Sequence, residues 1–268
     1  MSLISAEDFA RATGTSPYPK LALLLMKLMK IDAFNQMMHQ AGELEGVEFC
    51  KFVLDFLGIN IKVDEQQLAN IPESGPFIAV CNHPYGGIES LALLILLVSK
   101  RPDTLFMGNF LLKKVPNLAE YIIAVNPFEK IKDSSSITGL KLTLAKLKEG
   151  VPVAIFPAGE VSAYDFNRFK ITDRDWHPVV GKLITKAAVP VIPIYFHGDN
   201  GLAFGLLRHI HPGLQTAMLP AQLFNKKGLE LRVCIGKAVS PAKPGIKAAN
   251  ESSNGLTDLR KITYALAE

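Results

Sequence analysis

Phe77-Ile78-Ala79-Val80-Cys81-Asn82-His83-Pro84-Tyr85-Gly86-Gly87-Ile88-Glu89, running on into the apolar residues 90–98 (SLALLILLV), is the stretch that decides the fold. After the turn cluster of residues 72–76, the short apolar run 77–81 reads as a compact buried strand. His83-Pro84 and Gly86-Gly87 both break regular structure, so residues 82–87 form a loop, and residues 90–98 read as a buried helix. Strand, loop and helix in that order are the opening half of a β-α-β unit.

The same alternation extends in both directions. Residues 59–63 alternate like a short strand, and further strands are read at 104–108, 121–125, 151–156, 189–196 and 229–235. Residues 134–149 form a helix with Leu140, Leu144 and Leu147 on one face and Lys141, Lys146 and Lys148 on the other, stopped by Gly150. Residues 176–188 and 205–215 are also helical, and a linker at 238–254, rich in Pro, Ser and Asn, precedes a last helix at 256–267. From about residue 60 onward this is an α/β pattern. Residues 17–58 read as helix, ended by Gly58. Within them, residues 20–30 (KLALLLMKLMK) set Lys20, Lys27 and Lys30 among leucines and methionines, an amphipathic pattern with a basic rim.

Composition narrows the classes. With 268 residues, 49 % hydrophobic and 20 % charged, the chain is long and apolar enough to bury a core, which excludes a disordered protein. A net charge of +4 suits an anionic membrane face or an acidic carrier and is too small to argue for nucleic acid. Three scattered cysteines, Cys50, Cys81 and Cys234, contain no Cys-x-x-Cys pair and fit a reducing compartment. Glu7 and Asp8 precede any apolar run, so no secretory signal is expected. The run 91–98 falls far short of the ~20 residues of a spanning helix, and the mean hydropathy of +0.21 hints at apolar surface.

Three loops follow apolar strands, where the reacting groups of such sheets gather. In the first, a histidine followed by a carboxylate, His83 and Glu89, has the makings of a general base with an orienting acid; the same residues also suit a helix cap and a first-turn acid. In the second, Phe156-Pro157-Ala158-Gly159-Glu160-Val161-Ser162, amides around a glycine can hold an oxyanion, or form an ordinary strand-to-helix turn. The third, Tyr195-Phe196-His197-Gly198-Asp199-Asn200, can line the same cleft or be a plain turn. Cys81 reads as a core residue. His209 and His211 lack a further obvious metal ligand, so no metal site is expected. Lys113, Lys114, Arg168, Lys170, Arg174 and Lys182 read as solvated or carrier-facing charges, and Trp176 as an anchor.

Taken together, the three loops resemble the glycerolipid acyltransferase superfamily, the lysophosphatidate-acyltransferase-like enzymes. That family shows Asn-His-x-x-x-x-Asp, then Phe-Pro-Glu-Gly-Thr-Arg-Ser, then a Val-Pro-[Val/Ile]-x-Pro strand. The counterparts are Asn82-His83 with Glu89, residues 156–162, and Val189-Pro190-Val191-Ile192-Pro193. The Asn-His-Pro-x-Gly-Gly and Phe-Pro-Ala-Gly forms resemble a branch labelled hemolysin, which includes acyltransferases of ornithine- and glycine-lipid synthesis. Glu89 stands six positions after His83 rather than five, with Glu160 as the reserve carboxylate. Ala158 and Val161 replace the motif's Glu and Arg, and Asn126-Pro127-Phe128 stands where many members carry an Arg. These changes turn the expectation from a glycerol-phosphate acceptor toward an amino acid or its acylated form.

The resemblance implies a mixed, mostly parallel sheet flanked by helices, with an N-terminal amphipathic segment at 1–58 and the acyltransferase domain at 59–268. It implies transfer of a fatty acyl group from an acyl-carrier-protein or coenzyme A thioester to a hydroxyl or amine in membrane lipid synthesis. His83 and Glu89 are the expected catalytic pair. Asn82, Gly86, Gly87, Phe156, Pro157, Gly159, Glu160 and Ser162 are the expected substrate-binding residues, with amides around Gly159 at the oxyanion. No cofactor or metal is expected beyond the thioester co-substrate. The expected location is cytoplasmic, peripheral on the inner face of the cell membrane, with 20–30 either on the lipid surface or packed on the domain. A thioester hydrolase and a non-catalytic lipid- or carrier-binding protein are the two rival readings.

Overall fold

The computed structural model describes residue 7 and residues 17–125, 134–240 and 252–268. Three helices lead the chain: α1 (Pro19–Leu28), α2 (Ile31–Ala41) and α3 (Gly46–Phe56). Strand β1 (Asn60–Val63), the one-turn helix α4 (Glu65–Leu68), strand β2 (Ile78–Cys81) and helix α5 (Ile88–Lys100) follow. Next come β3 (Leu105–Asn109), two 3-10 turns (Phe110–Lys114 and Pro116–Tyr121), β4 (Ile122–Val125), α6 (Ser134–Lys148) and β5 (Val153–Ile155). A hairpin of β6 (Ala163–Asp165) and β7 (Lys170–Thr172) precedes α7 (Pro178–Ala187) and β8 (Val191–Phe196). The last elements are α8 (Leu202–Ile210), α9 (Pro212–Ala217), α10 (Leu219–Asn225), β9 (Glu230–Ile235) and α11 (Ser252–Ala265).

The main sheet has the order β1-β9-β8-β2-β5-β3-β4. All its neighbours pair in parallel except β8 with β9, so the sheet is mixed and mostly parallel, as expected. β2 lies at its centre with every residue from Phe77 to Cys81 fully buried. Alternation along the strands divides the core. Ala79, Cys81, Ile192 and Ile194 face α3 and α5, whereas Ile78, Val80, Val153 and Val191 face α6, α7 and α11. Each fully buried Ile or Val of these strands contributes on the order of 1.5–3 kcal/mol.

Because β8, β2 and β5 are adjacent and parallel, the three loops singled out in the sequence leave the same edge of the sheet side by side. Asn82 fastens two of them. Its amide nitrogen donates to the Phe196 carbonyl at 2.8 Å and its oxygen accepts from the Phe196 amide at 2.7 Å, extending the β2–β8 ladder by one side-chain rung.

The structure corrects several boundaries. Residues 17–58 are three helices, not one run, because Lys30, Gly42 and Gly46 all take positive φ. Gly46 is required there for a second reason, since a Cβ would meet the Tyr121 hydroxyl at 2.6 Å. Residues 205–215 belong to two helices that meet at His211, where Pro212 opens α9. The hairpin and α10 were not read from the sequence. Asn126-Pro127-Phe128 and residues 241–251 of the expected linker lie outside the described residues.

The third loop makes one demand that a substitution can test. Gly198 takes φ +97°, and a Cβ there would sit 1.9 Å from the Tyr85 hydroxyl, which itself donates to the His197 carbonyl at 2.9 Å. Gly198→Ala is expected to lower unfolding free energy by about 2 kcal/mol or more. In the Gly198→Ala/Tyr85→Phe double variant, denaturant titration is expected to show a loss smaller than the sum of the two singles.

Candidate active site

β2 ends at the edge of the sheet, and the chain must turn there with little access to water. Pro84 and Gly86, at φ +92°, bend residues 82–87 back so that α5 starts at Ile88 with Glu89 in its first turn. Glu89 is 0 % exposed, and its Oε1 is surrounded by donors: the Tyr85 amide at 2.9 Å, the Gly86 amide at 2.8 Å and His83 Nδ1–H at 2.8 Å. The helix N-terminus adds its favourable field. Glu89 Oε2 has no partner among the described residues. A carboxylate on Nδ1 fixes the neutral imidazole as the tautomer whose Nε2 carries the lone pair. The His83 ring lies against Phe156 of the second loop, centroids 4.1 Å apart and 26° between planes. Its side chain is 14 % exposed, so Nε2 is reachable yet held.

Glu160, the reserve carboxylate, is engaged elsewhere. It accepts from Arg174 Nη1 at 2.8 Å and from Arg208 Nη1. The extra loop residue and the longer glutamate arm together let Glu89 reach the imidazole.

Several expected substrate contacts have internal tasks instead. Asn82 is 3 % exposed and spends its whole amide on Phe196. Ser162 is 4 % exposed; its hydroxyl donates to Asp173 at 2.7 Å and its amide to the His83 carbonyl at 2.8 Å. The Gly159 amide donates to the Phe156 carbonyl at 2.9 Å, so it is not available to an oxyanion. The amides of Ala158 and Glu160, on either side of that φ +71° glycine, have no acceptor among the described residues. The Pro157 carbonyl accepts from His177, and the Gly87 carbonyl accepts from Leu91 within α5. His209 donates to the Tyr164 carbonyl at 2.8 Å and His211 caps α9, which gives each of this pair its own structural partner. Burial, with Glu89 and Asp173 adding to it, pushes the Cys81 thiol well above its ordinary range, so it is inert as a nucleophile.

Asp173 is the site residue that sequence reasoning missed. It is fully buried just after β7. Its Oδ1 accepts from the His83 amide at 3.0 Å and the Ser162 hydroxyl, and its Oδ2 from Trp176 Nε1–H at 3.1 Å. Burial pushes its carboxyl above the usual range, while these donors pull it back. From α11, Tyr264 accepts the Asp173 amide at 2.9 Å, and Arg260 donates to the Asp173 carbonyl at 2.8 Å. The first and second loops are thus clamped to the C-terminal helix through one residue, its side chain on the loops and its backbone on α11. The only signal in the sequence was an Asp three positions before the single Trp, too common a pairing to single out.

A family model described as Acyltransferase matches residues 10–268. A lyso-glycine lipid O-acyltransferase of Bacteroides thetaiotaomicron is 26 % identical over 249 residues, covering 88 % of each chain. Its counterpart from Phocaeicola vulgatus is 26 % identical over 227 residues, covering 83 % of this chain and 78 % of that one. The crystal structure of the 1-acyl-sn-glycerophosphate (LPA) acyltransferase PlsC from Thermotoga maritima matches with a TM-score of 0.49 at 17 % identity, over 91 % of this chain and 94 % of that one.

Asp173→Asn should show what the clamp is worth. An asparagine oxygen still accepts from His83 and Ser162, but its NH₂ then faces the Trp176 N–H, donor against donor. The expected loss is about 1–3 kcal/mol of stability, together with altered emission of Trp176, the chain's one tryptophan.

Proposed function

The chain belongs to the acyltransferase family, and on that premise we propose that it transfers a fatty acyl group from a carrier-protein or coenzyme A thioester to the free hydroxyl of a lyso-lipid with an amino-acid headgroup. The observation that carries this reading is the His83–Glu89 pair, with Nδ1 bound to a buried carboxylate and Nε2 left open at the sheet edge. The two lyso-glycine lipid O-acyltransferases support the acceptor class.

The geometry supports the following course. Nε2 takes the proton of the acceptor hydroxyl while the oxygen attacks the thioester carbonyl. Charge gathers on the carbonyl oxygen, which the Ala158 and Glu160 amides are suited to receive. The C–S bond then breaks, and the imidazolium returns its proton to the departing thiolate. Glu89 holds the ring and stabilises the transient imidazolium; no acyl-enzyme is required, because an oriented acceptor attacks directly.

A lipid acceptor also calls for a membrane surface. Among the described residues no helix is long and apolar enough to cross a bilayer. α1 instead buries Ala22 and Met26 and leaves Leu21, Leu23, Leu24 and Leu28 exposed beside Lys20 and Lys27, with no acidic residue in the helix. We assign α1 to peripheral docking on an anionic lipid face, each close lysine contributing on the order of 1 kcal/mol.

Thiol release from both thioesters, with and without a lyso-glycine lipid, tests the reaction. Acceptor-dependent release with a diacylated product is expected. Release without acceptor would make the protein a hydrolase, and no release would leave a binding protein. His83→Ala removes one donor from buried Glu89, so it should lose about 1–3 kcal/mol of stability and, still folded, about 10²–10⁴-fold in turnover. Glu89→Gln should lose about two orders of magnitude or more in turnover with a smaller change in KM.

A further inference from the structure

The β6–β7 hairpin has a feature that the reaction does not use. Its turn, Phe166-Asn167-Arg168-Phe169, presents two large aromatic side chains to solvent, Phe169 at 79 % exposure and Phe166 at 57 %. Phe169 is held outward by a positive φ of 51°, a conformation that costs a non-glycine residue on the order of 1 kcal/mol. The turn is rigid. Asp165 Oδ1 accepts the Asn167 and Arg168 amides at 2.8 and 3.0 Å, and the Arg168 guanidinium bridges Asp165 and Asp175. Exposed phenylalanines fixed on a stiff turn are costly in water and need a reason.

Their surroundings indicate the partner. Phe166 packs edge-on against His209 of α8, centroids 4.8 Å apart, and His209 bonds the Tyr164 carbonyl. The next residue, Ile210, is 75 % exposed. α8 leads into α9, and Ala217 and Met218 at the end of α9 pack against Met26, Met29 and Ile31 around α1. One run of contacts therefore joins the hairpin to the buried side of α1. Residues 17–31 and 200–229 contain no Asp or Glu, yet carry Lys20, Lys27, Lys30, Arg208, Lys226 and Lys227. The acids beside the tips, Asp165 and Asp175, are both paired with Arg168, so apolar tips next to these basic segments complement an anionic bilayer.

We propose that the β6–β7 hairpin is a second membrane contact, its Phe166 and Phe169 entering an anionic lipid surface with Ile210 while α1 docks alongside. The proposal rests on the reading of the protein as a lipid-surface acyltransferase and extends it to an element that touches the reaction centre. The hairpin leaves the sheet edge at Ser162 and returns at Asp173, the two residues that bond the His83 backbone. A hairpin seated in lipid thus holds His83 at a short, fixed reach from the surface where a lyso-lipid headgroup lies.

The test uses the full chain and vesicles of phosphatidylglycerol mixed with phosphatidylcholine, with and without brominated acyl chains. Phe169→Trp places a reporter at the tip, and the wild type, whose single Trp176 is buried, is the control. The expected result is a blue shift and strong bromolipid quenching in Phe169→Trp and neither in the wild type. Phe169→Asn, which suits the positive φ, is expected to lower vesicle partitioning about tenfold with turnover on micellar lyso-lipid unchanged. Co-flotation with vesicles but no quenching at position 169, or unchanged partitioning of Phe169→Asn, would overturn the hairpin contact and leave α1 docking in place. Absence of flotation by the wild type would remove the membrane reading itself, and the hairpin contact with it.

Discussion

A carboxylate buried without compensation is among the most expensive things a fold can contain, and the end of β2 is built around one. Glu89 has no exposed surface, so its charge must be met by donors inside the protein. Two of these are amides of the turn itself, Tyr85 and Gly86, and the third is His83. To bring both amides to one oxygen the backbone must pass through the positive φ of Gly86. The turn then needs its own supports: Asn200 donates to the Tyr85 carbonyl at 3.0 Å, and the Tyr85 hydroxyl crosses to the His197 carbonyl over a residue that must be glycine. In this way one acidic side chain dictates the conformation of the first loop and much of the third. The same side chain fixes the imidazole, so the need to satisfy a buried charge also sets the orientation of the ring.

The second support comes from a different direction. Asp173 holds the His83 backbone, Ser162 and Trp176, and α11 holds Asp173. His83 is thereby fixed at its ring by Glu89 and Phe156 and at its backbone by Asp173 and Ser162, with α11 standing behind Asp173. The second loop carries a related rearrangement. Position 161 is Val, and the adjacent Glu160 gathers guanidinium groups from Arg174 and Arg208, which lie 14 and 48 residues away along the chain. Charge that is absent from the linear motif is present in the folded loop.

Much of this was legible in the sequence because burial writes itself into short apolar runs. β2, β5 and β8, with the Pro and Gly residues that end them, gave the α/β alternation and located all three loops. The order of motifs then identified the histidine and two candidate acids. The fold decided between those acids, since reach depends on the path of a loop and not on spacing. What stayed hidden has physical reasons. Strands β6 and β7 are three residues each, too short for any period to register. Asp173 ties together partners far apart along the chain, His83 90 residues before it and Tyr264 91 after it. The break at residues 42–46 was obscured because apolar spacing persists across two glycines that reverse the backbone. Asn82 and Ser162 looked like substrate contacts because they stand in the motif; their burial and internal hydrogen bonds make them joints that hold the loops around His83.

The central claim is that His83 Nε2 is the atom that meets the acceptor. A crystal structure of the wild-type protein with bound lyso-glycine lipid and no thioester, where no transfer can occur, tests it directly. The account predicts the free lipid hydroxyl within about 2.6–3.2 Å of Nε2, with the headgroup beside the second loop. A hydroxyl bound out of reach of His83, or nearer another base, would contradict it.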